Sequence, residues 1–183
     1  MRVLVCTASR HGATAQIGDA LAKALTDNGV PADARTPDQV ADLQGYDALV
    51  LGSAVYMGSW LPSARQLVER ISGQLSGRPV WLFSSGPVGE RGSDSSKPPV
   101  DASQVITATA ARDHRVFGGR IERAQLGIVH RTMMAAMHIA DSDERDWDEI
   151  AAWGKHIAEE LLTGAQPQPG PQTGPETEAG GAR

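Results

Sequence analysis

Cysteine is nearly absent: Cys6 is the one cysteine in 183 residues. A disulfide framework and a cysteine-rich metal site are thereby excluded, and a reducing, cytoplasmic setting is expected. Aromatic residues make up only 4% of the chain, so few side chains are available to wall a flat ligand. Positive charge is not in excess. Lys and Arg number 17 against 22 Asp and Glu, for a formal net charge of −5, which argues against a generally basic nucleic-acid binder. No apolar run approaches the roughly 20 residues of a membrane span. The apolar stretch at 3–6 is too short for a signal-peptide core, so contact with a membrane is expected to be peripheral at most. What the chain does have is a 40% hydrophobic content, enough for one domain with a core of its own.

The pattern along the chain alternates. Residues 3–6, Val-Leu-Val-Cys, form a wholly apolar run, as in a strand buried on both faces. Ile17, Leu21, Ala24 and Leu25 then recur at helical spacing until Asn28-Gly29. A weak strand is expected at 30–35 and a strong one at 47–51, ending at Gly52. Pro62 opens a helix whose apolar face carries Leu67, Val68, Ile71 and Leu75, with Gly77 as its end. Further strands are expected at 79–83 and 115–118, and a helix at 103–111. A last helix starts at the capping-box-like Asp146-x-x-Glu149 and presents Trp147, Ile150, Ala151, Ile157, Ala158 and Leu161. Residues 164–183, GAQPQPGPQTGPETEAGGAR, hold no large apolar side chain and read as a disordered tail. The folded domain is therefore 1–163. Five short strands alternating with helices imply an α/β fold, a parallel sheet covered on both faces. Ligands of such sheets bind at the carboxyl ends of the strands, which directs attention to three loops.

The first loop is Thr7-Ala8-Ser9-Arg10-His11-Gly12-Ala13-Thr14. Its hydroxyls can donate to phosphate oxygens, Gly12 allows a tight turn, and the following helix offers free N–H groups and a positive dipole end. It is neither a Walker loop nor G-x-G-x-x-G, and an ordinary helix cap is the competing reading. The second loop, Gly52-Ser53-Ala54-Val55-Tyr56-Met57-Gly58-Ser59-Trp60, gathers Tyr56, Met57 and Trp60 where a planar ligand would need walls; alternatively, Trp60 packs onto the next helix. The third, Ser84-Ser85-Gly86-Pro87-Val88-Gly89, can hydrogen-bond the edge of a heterocycle or be a plain turn.

Together these segments resemble the flavodoxin family. The carrying stretches are MRVLVCTASRHGATAQI, YDALVLGSAVYMGSW, RPVWLFSSGP, VFGGRI and RDWDEIAAWGKHIA. The chain is similar in particular to the branch that includes menaquinone-dependent protoporphyrinogen IX dehydrogenase. The resemblance implies a flavodoxin-like three-layer sandwich with a five-stranded parallel sheet of order 2-1-3-4-5, and FMN at the strand ends. It assigns Ser9, Arg10, His11, Gly12, Ala13 and Thr14 to the phosphate. It places Ser53, Ala54, Val55, Tyr56, Met57 and Gly58, with Trp60, beside the isoalloxazine, and Ser84, Ser85, Gly86, Pro87, Val88 and Gly89 on the ring's other side. The ordinary flavodoxin loop has Thr-Gly-Asn-Thr where this chain has Arg10-His11-Gly12-Ala13-Thr14, a departure toward the dehydrogenase-like branch.

Two function classes follow. One is an FMN oxidoreductase acting on a quinone or porphyrin-type molecule, and the other an electron carrier docking protein redox partners. The locally basic stretch 112–131 leans toward the enzyme, because a carrier usually presents a strongly acidic face. The Met-rich stretch 130–138 could face a membrane, a quinone or a porphyrin, but a helix packing its Met residues into the core is the favoured reading. Cys6 is expected to be inert packing. His11 is either a phosphate partner and proton donor or a solvated loop residue. The acidic residues Asp141, Asp143, Glu144, Asp146, Asp148 and Glu149 are expected to complement a helix dipole rather than bind metal.

Overall fold

The computed structural model describes residues 1–56, 58–86, 100–121 and 142–164. Strand β1 (Val3–Ala8) is buried along its whole length. It pairs in parallel with β2 (Ala32–Arg35) on one side and β3 (Ala48–Tyr56) on the other. Next to β3 lies β5 (Val80–Gly86), and beyond it β6 (Asp113–Gly118), again parallel. The order is β2-β1-β3-β5-β6. The two-residue β4 (Ser59–Trp60) folds back antiparallel onto the end of β3. With β4 set aside, this is the expected 2-1-3-4-5 arrangement of a flavodoxin-like sheet. A second, unexpected pair joins β7 (Arg120–Ile121) to β8 (Ser142–Asp143).

Parallel neighbours require crossovers, and helices supply them. One face of the sheet is covered by α1 (Ala13–Asp27) and α4 (Trp147–Thr163), the other by α2 (Pro62–Ile71) and α3 (Val100–Thr109). The period of two along a strand divides the core accordingly. Val3 and Val5 pack with Ile17, Leu21, Trp153 and Ile157, whereas Leu4 and Cys6 pack with Leu67, Ile71 and Val105.

Several boundaries differ from the sequence expectation. Strand β3 continues five residues past Leu51, and β5 continues through Gly86. The two stay in register there, Gly52 beside Phe83 and Ser53 beside Ser84. Gly52 is no strand end because the Phe83 ring occupies its missing side chain's place: a Cβ there would lie 2.0 Å from the ring. Helix α2 stops at Ile71 and passes through a 3₁₀ turn, Ser72–Gln74, before Gly77. In α4 the Asp146 carboxylate accepts from the N–H groups of Asp148 and Glu149, as the capping pattern predicts. Ile150, Ile157, Ala158 and Leu161 face the core as expected, but Trp147 is 44% exposed and Ala151 is exposed too. Trp147 is the first residue of the helix, and its ring stacks under Arg145 instead. Among the described residues, no helix is long and apolar enough to cross a membrane. The tail expected at 164–183 lies outside the described residues except for Gly164, whose φ of +66° ends α4.

Candidate functional site

Because the central strands run the same way, the carboxyl ends of β1, β3 and β5 lie on one rim. The register levels them: Ala8 lies beside Ser53, and Ser53 beside Ser84. The first loop ends at Gly12, which caps α1 with φ +82°. A Cβ at Gly12 would meet nothing within 4 Å, so the demand for glycine is conformational rather than steric. The first helical bond of α1 runs from the Gln16 N–H to the Gly12 carbonyl at 3.0 Å. The N–H groups of residues 13–15 precede it and have no acceptor inside the helix. No acidic residue occupies this first turn and no side chain caps it. Thr14 is 3% exposed, Ser9 is half-buried and Arg10 is exposed. The donor set thus suits a phosphate: several N–H groups and hydroxyls at a helix start, with no carboxylate competing.

Tyr56, at the end of β3, joins the second loop to the first. The Arg10 guanidinium lies 5.5 Å from the centre of its ring. The His11 ring is 6.4 Å away and tilted by 58°. Burial pushes the Tyr56 phenol above its ordinary pKa, with the Arg10 charge opposing. A half-buried aromatic ring therefore stands at the rim within reach of two cationic or titratable side chains.

The other aromatic of this loop has a different place. Trp60 is 1% exposed and belongs to the core layer under α2. Its Nε1–H donates to the Ser84 Oγ at 2.8 Å. This is the packing alternative of the sequence reading, and it leaves Tyr56 as the aromatic at the rim. Ser84 Oγ also lies 3.0 Å from His114 Nε2. Burial holds His114 below the usual histidine pKa. Ser53 Oγ accepts from the Leu61 N–H at 3.0 Å and donates to the Ala54 carbonyl at 2.9 Å. The hydroxyls of Ser53 and Ser84 are therefore tied inward. Ala54 is buried, and Val55 is half-buried opposite Trp60. Ser85 is buried, while Gly86 and Gly58 are partly or fully open, Gly58 with φ +75° at the hairpin tip. Met57, Pro87, Val88 and Gly89 lie outside the described residues, as do residues 122–131 of the basic stretch and all of the Met-rich one.

The remaining candidates also have definite surroundings. Cys6 is fully buried and its thiol is pushed up to about 12 by that burial, which keeps it protonated and unreactive. Within the acidic run, Asp143 pairs with Arg145 and Asp146 caps α4. Two residues escaped the sequence reading. His114 was hidden because the fifth strand starts two residues earlier than its apolar part. Arg145 carried a signal, as the lone cation among five carboxylates between 143 and 149.

Comparison with known proteins bears on this arrangement. A family model described as a flavodoxin domain matches residues 4–148. No curated protein sequence matches the chain. Among solved structures, rubredoxin oxygen:oxidoreductase from Desulfovibrio gigas superposes with a TM-score of 0.59 at 13% identity, over 88% of this chain and 36% of that one. The chain thus spans little more than a third of that protein. An archaeal flavodoxin gives 0.60 at 13% identity, over 88% of this chain and 99% of its own. The flavodoxin of Streptococcus pneumoniae TIGR4 gives 0.56 at 18%, over 90% and 100%. At such identities the likeness concerns the fold.

Proposed function

This chain belongs to the flavodoxin-domain family, and from that premise we propose that it is an FMN-binding redox protein whose main task is to pass electrons to and from protein partners. Membership of the family implies FMN as the cofactor. The observation that carries the reading is the left-handed Gly12 cap, which leaves the first-turn donors of α1 open beside Ser9 and Arg10, with Tyr56 adjacent. In this reading Ser9, Arg10, His11, Gly12, Ala13 and Thr14 hold the phosphate. Tyr56, with Ala54, Val55 and Gly58, flanks one side of the ring. The backbone at Ser84, Ser85 and Gly86 flanks the other, with Trp60 bracing both strands from beneath. FMN, when bound, supplies the redox-active ring, and the protein contributes orientation, exclusion of water and charge. Electron transfer asks for no acid or base on the chain, only an accessible ring edge.

A second reading is FMN-dependent oxidation of a small molecule, with protoporphyrinogen IX as the donor and a quinone as acceptor. The observation favouring it is the exposed Arg10 guanidinium at the Tyr56 ring, a cation suited to a propionate group. In this reading Arg10 serves the substrate, and the phosphate is left to the α1 N–H groups, Ser9 and Thr14. Anaerobic assay of the FMN-loaded protein with protoporphyrinogen IX and menaquinone, beside reduction by a ferredoxin-type reductase, separates the two.

The cofactor assignment is tested by titrating flavin-free protein with FMN and with riboflavin, which lacks the phosphate. A charge-assisted hydrogen bond contributes about 1.5–3 kcal/mol, so Thr14→Ala is expected to weaken FMN about tenfold or more and to spare riboflavin. Tyr56→Ala is expected to weaken both alike. A wild-type protein that binds neither flavin overturns the proposal.

A further inference from the structure

Arg145 is almost fully buried, its side chain 3% exposed. Taking a guanidinium out of water is costly unless each donor finds an acceptor, and here the acceptors come from two distant parts of the chain. Nε and Nη2 form a fork on Asp143, at 2.7 Å to Oδ1 and 2.6 Å to Oδ2. Nη1 reaches across to α1, at 2.6 Å from Gln16 Oε1 and 3.4 Å from the Ala13 carbonyl. The plane of the group lies 4.5 Å from the centre of the Trp147 ring. One side chain thereby ties β8 and the start of α4 to the first turn of α1.

That first turn is where the phosphate donors stand. We propose that Arg145 is a positioning residue for the phosphate cradle, gripping α1 at Ala13 and Gln16 so that the N–H groups of residues 13–15 keep a fixed aim. The inference rests on the FMN reading above. Asp143 balances the charge of Arg145 at contact distance, so the effect on a bound phosphate is geometric rather than coulombic. Donors must be held to within about half an ångström for strong recognition. A pure fold brace at this place would affect all ligands equally, whereas a positioning residue affects the phosphate alone.

Gln16→Ala is the gentle variant. It removes the side-chain acceptor on the exposed face of α1 and leaves the Arg145–Asp143 fork intact. Arg145→Met is the severe one. In titrations of the flavin-free protein, Gln16→Ala should weaken FMN about three- to tenfold, the effect of one hydrogen bond, with riboflavin unchanged. Arg145→Met should do more in the same direction, and adding Asp143→Asn, which removes the carboxylate left unpaired, should not restore FMN affinity; restoration would make the effect coulombic and overturn the geometric role. Equal weakening of both flavins, or none, overturns the positioning role. If the wild-type protein binds neither flavin, the FMN reading fails by itself. Amide hydrogen exchange in the flavin-free protein then decides. In Gln16→Ala, faster exchange confined to the amides of residues 17–19, which bond to the carbonyls of the first turn, supports the grip, and an unchanged pattern refutes it.

Discussion

Gly18→Ala is a substitution whose sign is set by one contact. Gly18 lies inside α1, where replacing glycine by alanine ordinarily stabilises by about 1 kcal/mol. Here the new Cβ would stand 2.2 Å from Thr7 Oγ1, 3.2 Å from Thr7 Cβ and 3.7 Å from Cγ2. Thr7 is buried near the end of β1; one of its other staggered rotamers puts the methyl in the same space, and in any rotamer its Cβ stays tight at 3.2 Å. Overpacking of this kind costs about 1–3 kcal/mol. The balance runs from near neutral to a net loss of about 2 kcal/mol, at most roughly 8 °C in melting temperature for a domain of this size. Gly73→Ala is the control, since a Cβ there meets nothing within 4 Å and its φ is not positive; it should be neutral or slightly stabilising. Adding Thr7→Ala removes the clashing oxygen, so Gly18→Ala should cost little or even stabilise in that background. Thermal unfolding of the four members of the Thr7/Gly18 cycle gives the coupling, expected at the full overpacking cost of about 1–3 kcal/mol. If Gly18→Ala raises the melting temperature equally in both backgrounds, the close approach of α1 to β1 is not what glycine serves there.

Trp60→Phe keeps most of the buried volume but removes the indole donor to Ser84; urea unfolding should show a loss of about 1–3 kcal/mol, and an unchanged midpoint would put Trp60 outside the core. His114 has its folded pKa held below the ordinary value by burial, so the unfolded chain takes up its proton first and stability falls as pH drops from the normal histidine range, about 6.5. Asp113 acts lower down. Its burial is outweighed by hydrogen bonds from Trp153 and Arg115, which hold the carboxyl below its usual range, and that contribution is lost as pH falls through the carboxylate range. Urea midpoints at pH 7.5 and 5.5 should differ less in His114→Gln than in wild type; an equal difference would assign the pH dependence to other groups. Gly154→Ala would place a Cβ 2.7 Å from Ala24 Cβ at the α1–α4 contact. It should lower the melting temperature yet leave the preference for FMN over riboflavin intact, and a loss of that preference would refute a local phosphate cradle.

The sheet was legible because its central strands carry short, wholly apolar runs separated by helical patterns. The strand ends were not, because the chain changes to small residues while pairing continues. Gly52, Ser53, Ser84 and Ser85 look like loop residues by composition, yet they stay in register between β3 and β5. The period of two explains where their hydroxyls go. Ser53 follows Leu49 and Leu51, and Ser84 follows Val80 and Leu82, onto the face covered by α2 and α3. There Trp60 and the Leu61 N–H meet them. Extending each strand by three residues would have revealed this. The limits of the first loop needed no such correction, since Gly12 and the periodic run from Ile17 fix them. Arg145 was out of reach because its α1 partners lie about 130 residues away in the chain, and no local pattern encodes such a contact.

Helix α1 is held at three levels. Arg145 grips its first turn, Thr7 fills the space left by Gly18, and Gly154 lets α4 approach at Ala24. The Thr7 and Gly154 contacts seat the body of the helix against β1 and α4, and the Arg145 grip alone acts on its first turn. A helix start that cannot move offers its N–H groups in one arrangement, and a phosphate bound there requires little reorganisation. The ring side of the rim is built on a different principle. Arg10 and Tyr56 meet through a cation and an aromatic face with Arg10 exposed to water, a contact worth about 0.5–1 kcal/mol at such sites. A planar ligand can displace it at small cost. In the proposed function the phosphate end would therefore supply the fixed anchor, and the ring end the adaptable surface at which electrons enter and leave.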